Sequence, residues 1–278
     1  MYLTRSVLRK LRKFGVGITS STNLDNLNQN LRILKATEKK LAILSQLYRL
    51  DNRVFSKLDL SKLIQKSTSQ LGQDCVALVV SEFKRDGFFV EFGATNGIDL
   101  SNTYFLETEF NWNGILCEPA KFWKEELVRN RGANLDFDCV WSVTNDEIEF
   151  NEVDYKELST IAEFSNSDMH IKDRRYGKTY IVNSVSLLDL LVRHNAPSVI
   201  DYLSIDTEGS EFEILSKFDF SRFSFRFVSC EHNYGSNRER IFQLMISHGY
   251  RRILVEHSEF DDWYVKIIQS GYSLGSGC

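Results

Sequence analysis

The sequence is poor in residues that cross-link or interrupt a fold. It has only two prolines and five cysteines in 278 residues, and no two cysteines form a closely spaced pair. A disulfide scaffold and a structural zinc site are therefore disfavoured, since both depend on paired cysteines. Because three of the cysteines lie inside apolar runs, we predict buried, reduced thiols and a reducing, cytoplasmic compartment.

Long apolar runs and an excess of positive charge are also missing. No run approaches the roughly 20 residues of a membrane-spanning helix. The N-terminus lacks a long apolar core and a small-residue cleavage site, so we do not expect a secretory signal. The formal net charge of −4 disfavours a nucleic-acid-binding protein, because such proteins are usually basic.

The first 68 residues are predicted to form a helical N-terminal extension. Over 4–14, apolar residues share one helical face among basic ones, which favours peripheral contact with the inner face of a membrane, or packing on protein. Over 23–50, leucines at helical spacing predict a packing face, with a second copy of the chain as one partner. Membrane contact and homodimerisation both stay open at this stage.

From residue 69 onwards short apolar runs alternate with helical patterns, and the domain is predicted to span 69–278. Strands are predicted over 88–92, 114–118, 136–142, 147–153, 199–205, 226–231, 251–256 and 262–268, and helices over 70–84, 99–110, 120–130, 185–194, 209–217 and 237–248. The alternation predicts an α/β fold with a mostly parallel central sheet and helices on both faces. Residues 155–176 have no clear period and predict a mobile loop over a site, whose basic residues favour an anionic or sugar-rich substrate.

Residues 87–119 have the plan of a Rossmann-like nucleotide-binding unit. A strand leads through Glu91 into a turn with Gly93 and Gly97, and a second strand ends at Glu118. An acid in that last position accepts hydrogen bonds from ribose hydroxyls. The glycines predict a tight turn that a ligand can approach closely and on which the next helix can pack.

The same loop does not fit a dinucleotide. Thr95 occupies the position of the middle glycine in GxGxxG, which a pyrophosphate needs in order to approach the helix N-terminus. Glu91 would repel a pyrophosphate and suits a cationic amino group instead. S-adenosylmethionine carries an α-amino group, a sulfonium and a ribose but no phosphate, so it fits the loop better than NAD.

Two further strand ends carry ionisable side chains. Asp206 and Glu208 follow one predicted strand, and Glu231 and His232 end another. Such residues line the crevice of an open α/β sheet. We predict Asp206, Glu208 and His232 as catalytic residues, because carboxylates and a neutral imidazole can take a proton. Together with Glu231 they are also candidates for a magnesium or manganese site.

The order and spacing of these motifs resemble the FkbM-type S-adenosylmethionine-dependent methyltransferase family. The matching segments are SQLGQD (69–74), GFFVEFGATNG (87–97), LSNTYFLE (100–107), WNGILCEP (112–119), DYLSIDTEGSEFEIL (201–215), CEHN (230–233) and DDWYV (261–265). The resemblance implies a Rossmann-like class I methyltransferase fold and O-methylation of a hydroxyl on a sugar, glycan or glycosylated product. Glu91 departs from it, because many methyltransferases have Asp there, and no acceptor-specific motif is visible.

The resemblance also implies roles for residues. Glu91, Gly93 and Gly97 would surround the amino-acid end of the donor, Glu118 would hold its ribose, and Asp206, Glu208 and Gly209 would lie at the junction with the acceptor. The expected donor-binding residues are Glu91, Gly93, Ala94, Thr95, Gly97, Asn102, Glu118, Ser142 and Asp206. Two alternatives stay open, an NAD-dependent nucleotide-sugar oxidoreductase and a catalytically silent Rossmann-like interaction module.

Overall fold

The computed structural model describes residues 21–50, 60–166 and 170–267, and the basic segment predicted over 4–14 lies outside them. The helices are α1 (Ser21–Leu50), α2 (Leu60–Lys66), α3 (Gln73–Val80), α4 (Tyr104–Phe110), α5 (Lys124–Asn130), α6 (Ile171–Arg174), α7 (Leu187–Arg193), α8 (Glu211–Ser216) and α9 (Arg238–Ser247). The strands are β1 (Phe88–Phe92), β2 (Asn113–Cys117), β3 (Asn134–Asp136), β4 (Cys139–Trp141), β5 (Glu147–Glu152), β6 (Thr160–Ile161), β7 (Lys178–Ser186), β8 (Val199–Ile205), β9 (Ser224–Glu231), β10 (Tyr250–Ile253) and β11 (Asp261–Lys266). Among the helices described, none is both long and apolar enough to cross a bilayer.

The central sheet has seven strands in the order β10-β11-β9-β8-β1-β2-β3. The run from β9 to β3 is parallel, whereas β11 is antiparallel to both of its neighbours. The chain order reverses between β8 and β1, and a crevice opens outside the carboxyl ends of strands at such a switch point. The predicted α/β fold with a mostly parallel sheet is confirmed.

Both faces of this sheet are buried. Adjacent residues on a strand point to opposite faces, so Phe89 and Tyr202 pack in one apolar cluster while Val90 and Leu203 pack in another. The first cluster lies against α3 and the second against α7, α8 and α9. The described cysteines, Cys75, Cys117, Cys139 and Cys230, are buried free thiols, as predicted.

A second, smaller sheet has the order β4-β7-β5-β6 and corrects three predictions. The strand predicted over 136–142 is two strands in different sheets, because the chain turns where the Asp138 amide donates to Asp136 Oδ1 at 3.0 Å. Strand β7 was not predicted, although it pairs with both β4 and β5. Residues 155–176, predicted to be a loop, contain β6, α6 and two turns of 3-10 helix, because Thr160 and Ile161 pair with β5.

The predicted helical N-terminal extension is present, and it packs on the rest of the chain. Ile43, Leu44 and Leu47 of α1 are buried in the cluster that contains Phe89 and Trp263. Some of the leucines predicted to form a packing face over 23–50 thus cover the chain's own core. The other leucines of this face that the structure describes are exposed: Leu31, Leu34 and Leu41. The boundary between 68 and 69 and a role in homodimerisation stay predictions.

We predict that Leu44→Ala lowers the free energy of unfolding by about 2–5 kcal/mol, because its side chain is only 1% exposed in the shared core. Leu34 lies on the same helix but is 64% exposed, so Leu34→Ala should change it by less than about 0.5 kcal/mol. Urea denaturation with an unchanged m-value measures both effects. Equal effects of the two substitutions would contradict the packing of α1 into the core.

Candidate active site

A cavity of about 400 Å³ lies outside the carboxyl ends of β1, β2, β8 and β9. Its floor includes Glu91, Glu118, Asp206 and Glu231, which end or directly follow these strands. The second sheet supplies an apolar wall made of Cys139, Val140, Phe150 and Ile161. The structure therefore brings most of the predicted strand-end acids to one enclosed place.

The glycine loop fixes Glu118 at the end of β2. Glu118 Oε2 accepts a hydrogen bond from the Thr95 amide and Oε1 from the Ala120 amide, each at 2.8 Å. Burial raises the pKa of Glu118 to about 7, and the two amide hydrogen bonds oppose that rise. Because each carboxylate oxygen can accept more than one hydrogen bond, Glu118 can still receive two adjacent hydroxyls from the cavity.

The Glu91 carboxylate is engaged mainly by protein groups. It accepts hydrogen bonds from the Asn102 amide at 2.6 Å and the Ser101 hydroxyl at 3.0 Å, and also from the Thr103 hydroxyl. Burial raises the pKa of Glu91, and the buried Arg131 guanidinium, 3.7 Å away, opposes this. Glu91 thus holds the loop that carries Asn102 in place by direct hydrogen bonds. The buried Arg131 supports this arrangement, and no sequence motif pointed to it.

Asn102 presents a hydrogen-bond acceptor without a protein partner. Its Nδ2 donates to Ser204 Oγ at 2.9 Å, while its buried Oδ1 has no partner among the described residues. Asn102 lines the cavity. A buried polar atom without a partner costs about 1–3 kcal/mol, so this oxygen suits a ligand that brings a hydrogen-bond donor such as an ammonium group.

The two loop glycines are required by contacts within the protein. A Cβ on Gly93 would lie 2.1 Å from the Asp206 carbonyl oxygen, and one on Gly97 would lie 2.6 Å from Arg131 Cγ. Both glycines have a left-handed φ, of +72° and +82° respectively. Gly93 and Thr95 line the cavity, whereas three predicted donor-binding residues lie outside its lining: Ala94, Gly97 and Ser142.

Three acids at the other side of the floor form a cluster. Carboxylate oxygens of Asp206, Glu208 and Glu231 lie within 4.8 Å of one another. Burial and the nearby Asp206 raise the pKa of Glu231 well above its usual range, and the two carboxyl groups share a hydrogen bond. Burial raises the pKa of Asp206 to about 6. Of the two acids, Glu231 therefore holds a proton more strongly than Asp206.

A buried arginine balances the third acid. Arg174 of α6 lies 2.6 Å from Glu208 Oε2, which also accepts a hydrogen bond from Asn233 Nδ2 at 3.0 Å. This ion pair ties the segment around α6 to the end of β8. Within that segment the Arg174 charge is compensated internally, whereas Lys156 and His170 line the cavity. The prediction that the segment's basic residues face a substrate stays a prediction for the others. A metal ion at the cluster would compete with Arg174 for Glu208.

His232 lies outside the lining of the main cavity. Its Nδ1 accepts a hydrogen bond from the Tyr234 amide at 3.0 Å, and its buried Nε2 lies 3.8 Å from Asp262 Oδ1. Burial lowers the pKa of His232, so the imidazole is neutral. A general base must reach the proton that it removes, and Asp206 is better placed for this because it lines the cavity. His232 was also predicted as a possible metal ligand, but the cluster of potential ligands consists of Asp206, Glu208 and Glu231.

Comparison with known proteins decides the family. The sequence profile of the family described as "Methyltransferase FkbM domain" matches residues 91–273, more than half of the chain. The chain belongs to the FkbM methyltransferase family. The match and the sheet order together confirm the Rossmann-like class I methyltransferase fold, and the family implies S-adenosylmethionine as the methyl donor.

No curated protein matches this FkbM methyltransferase. Among solved structures it is similar to precorrin-6y C5,15-methyltransferase from Geobacter metallireducens GS-15, with a TM-score of 0.40 and 11% identity over 71% of this chain and 89% of that one. The carbon methyltransferase CurJ gives a TM-score of 0.34 and 10% identity over 94% of this chain and 78% of that one.

Several residues of the FkbM methyltransferase site were not predicted from the sequence. They line the cavity together with the predicted acids: Gln70, Gln73, Asp99, Lys156, Ser159, Asn233 and Tyr234. Gln73 and Asn233 lie inside segments that carry the family resemblance, which could have drawn attention to them. Tyr234 and Lys156 lie in turns, where no periodic pattern marks a functional side chain.

We predict that Arg174→Met lowers the free energy of unfolding of this FkbM methyltransferase by about 3–5 kcal/mol, because Glu208 would stay buried without its counter-charge. The double variant with Glu208→Gln should recover part of that loss. Arg175→Met is the control, since Arg175 is exposed and its loss should cost less than about 0.5 kcal/mol. Chemical denaturation measures all three variants, and equal effects of Arg174→Met and Arg175→Met would refute the importance of the buried pair.

Proposed function

We propose that the protein transfers the methyl group of S-adenosylmethionine to a hydroxyl of a sugar, glycan or glycosylated product. The observation that carries the proposal is the position of Glu118, a buried carboxylate that faces the cavity and is fixed by Thr95 of the glycine loop. This is the position from which an acid accepts hydrogen bonds from ribose hydroxyls in a Rossmann-like unit. The FkbM membership of the chain supports the same ligand.

The charges around the cavity favour S-adenosylmethionine over NAD. Seven carboxylate residues line the cavity: Glu91, Asp99, Glu118, Glu157, Asp206, Glu208 and Glu231. The basic side chains in the lining are Lys156 and His170. Glu91 and Glu208 are paired with buried arginines, and the pKa of Glu231 is raised. The other four acids still outnumber the two basic side chains, which favours a sulfonium and an ammonium group over a pyrophosphate. This argues against the nucleotide-sugar oxidoreductase.

The cavity offers a place for each part of the donor. Glu118 would hold the ribose, and Asn102 Oδ1 would accept a hydrogen bond from the α-ammonium group. The apolar wall of Cys117, Cys139 and Val140 suits the adenine ring. Contacts of the donor with the other predicted residues, Gly93 and Thr95 among them, belong to the same proposal.

S-adenosylmethionine, when bound, supplies a methyl group on a sulfonium that leaves readily, so positioning contributes most of the rate. The protein must still take the proton of the acceptor hydroxyl. Asp206 is the best-placed base, because its pKa of about 6 lies close to neutral pH. Glu231 keeps Asp206 oriented through their hydrogen bond, and Arg174 compensates the neighbouring charge of Glu208.

The predictions about cellular location and assembly are part of the same proposal. A cytoplasmic location, peripheral membrane contact through 4–14 and homodimerisation are compatible with it, and none is required for methyl transfer. A divalent metal at Asp206, Glu208 and Glu231 is a further option within the proposal. If the protein keeps full activity after a chelator has removed bound metal, the reaction does not require a divalent metal at this cluster.

Calorimetric titration tests the donor. We predict that the protein binds S-adenosylmethionine with micromolar affinity and does not bind NAD. Glu118→Ala should weaken that affinity by at least about tenfold, since hydrogen bonds to a charged group contribute about 1.5–3 kcal/mol. Glu125→Ala, which removes an exposed acid from α5, is the matched control. Binding of NAD without binding of S-adenosylmethionine would overturn the proposal.

The same titrations should depend on pH. Burial raises the pKa of Glu118 to about 7 and that of Asp206 to about 6. A bound cation favours their ionised forms, so binding below the free pKa values releases protons. The affinity for S-adenosylmethionine therefore rises as the pH increases towards about 7 and levels off above it. S-adenosylhomocysteine lacks the sulfonium charge and should show a smaller rise. Equal pH profiles for the two ligands would contradict the electrostatic role of the acids.

Methyl transfer itself separates the enzyme from the silent interaction module. Mass spectrometry of cellular glycans and glycosylated products, with and without the protein, should show methylated hydroxyls that depend on it. Asp206→Asn should abolish these products while the protein still binds S-adenosylhomocysteine. Donor binding with no change in any glycan would favour the silent module.

A further inference from the structure

We infer that Tyr234 is the platform on which the methyl acceptor binds, and that His232 is its positioning residue. The inference rests on the proposed function and names the part of the cavity that recognises the acceptor. Tyr234 lines the cavity, and its side chain is 60% exposed. It follows β9 and lies beside Asn233, whose side chain contacts Glu208. An exposed aromatic face next to polar groups suits the apolar face of a sugar ring and its hydroxyls.

The backbone below Tyr234 is held in an unusual conformation. Asn233 has a φ of +41° and Tyr234 a φ of +56°, both in the left-handed region. Such residues cost about 1–3 kcal/mol each and persist only where surrounding contacts hold them, often at functional sites. Here the amides of His232 and Asn233 both donate to the Phe260 carbonyl, at 2.8 and 3.2 Å. These contacts hold the backbone that carries Tyr234 at the cavity.

His232 completes this support. Its Nδ1 accepts the hydrogen bond from the Tyr234 amide, and the two rings meet edge to face with centroids 5.4 Å apart. The Asp262 carboxylate near Nε2 is already engaged by Arg238 at 2.8 Å and Arg252 at 3.1 Å. Burial lowers the pKa of His232 although the Asp262 carboxylate opposes this, and the hydrogen bond to the Tyr234 amide orients the ring. His232 therefore acts on the acceptor through Tyr234.

The charges near this platform define the class of acceptor. The carboxylates of the lining outnumber its basic groups, and the basic groups are engaged by the protein. Lys156 Nζ lies 3.0 Å from Glu152 Oε1, and His170 Nδ1 lies 3.9 Å from Asp173 Oδ2. An additional negative charge would meet unfavourable electrostatics here. The acceptor is therefore a neutral, ring-shaped polyol such as a glycoside, and a nucleotide-activated sugar or a uronic acid is excluded.

Saturation-transfer NMR with simple glycosides tests this inference in the full chain with S-adenosylhomocysteine bound. The probes are the methyl glycosides of glucose, galactose, mannose and fucose, and methyl glucuronide serves as an anionic match to the glucoside. We expect signal transfer to at least one neutral glycoside and none to the glucuronide. Tyr234→Ala should abolish the signal and Tyr234→Phe should retain it, with unchanged affinity for S-adenosylhomocysteine in both.

His232 needs a readout that a general loss of structure would not produce. His232→Leu removes the acceptor for the Tyr234 amide, so the glycoside signal should be lost while S-adenosylhomocysteine still binds. His232→Asn should restore the signal, because the side-chain oxygen of asparagine can take the place of Nδ1. If His232 were the general base instead, His232→Leu and His232→Asn would both bind glycosides and neither would transfer methyl groups.

Three results would overturn the inference while donor binding is intact. They are a wild-type protein that gives no signal with any neutral glycoside, a Tyr234→Ala variant that keeps the signal, and a glucuronide that binds better than its glucoside. Failure of S-adenosylhomocysteine to bind at all would instead overturn the proposed function. The two failures are therefore distinguishable in one set of samples.

Discussion

A carboxylate can be buried only if something compensates its charge, and the site depends on how this chain meets that requirement. Glu91 is compensated by Arg131 and three loop donors, and Glu208 by Arg174. Glu118 has two backbone amides, and the pKa of Glu231 is raised, so that its neutral form is favoured. The partners of Glu91, Glu118 and Glu208 come from different segments of the chain, so the contacts that compensate these acids also hold the walls of the cavity together.

The degree of compensation separates the acids by role. Glu91 and Glu208 are paired with buried arginines, and their main effect is to hold a loop and the segment around α6 in place. Glu118 and Asp206 have weaker partners, and burial raises the pKa of both. These two can still gain from a ligand, Glu118 by accepting hydroxyl groups and Asp206 by facing a cation or taking a proton. The division between structural and functional acids thus follows from their local partners.

The sequence predicted the strand ends well because their pattern is local. Apolar runs followed by acids placed Glu118, Asp206 and Glu231 at one edge of the sheet, as the structure has them. The partners of these acids come from distant segments, so no spacing revealed Arg131 or Arg174. Strand β7 was missed although Val, Ile, Thr and Tyr favour strands, since its polar neighbours resembled a loop.

His232 shows a different limit of prediction from sequence. Its position after a strand suggested a base, yet the turn that follows directs Nδ1 to the backbone of Tyr234. The direction of a side chain after a strand depends on the turn, and two left-handed residues in succession are not visible in the sequence. The same turn places Tyr234 at the cavity, which no motif indicated.

A crystal structure of the protein with S-adenosylhomocysteine would show whether the buried acids hold the donor. We expect the ligand in the cavity outside β1, β2 and β8, with its ribose hydroxyls on the Glu118 carboxylate and its ammonium group on Asn102 Oδ1. A ligand bound elsewhere, or a ribose that makes no contact with Glu118, would contradict it.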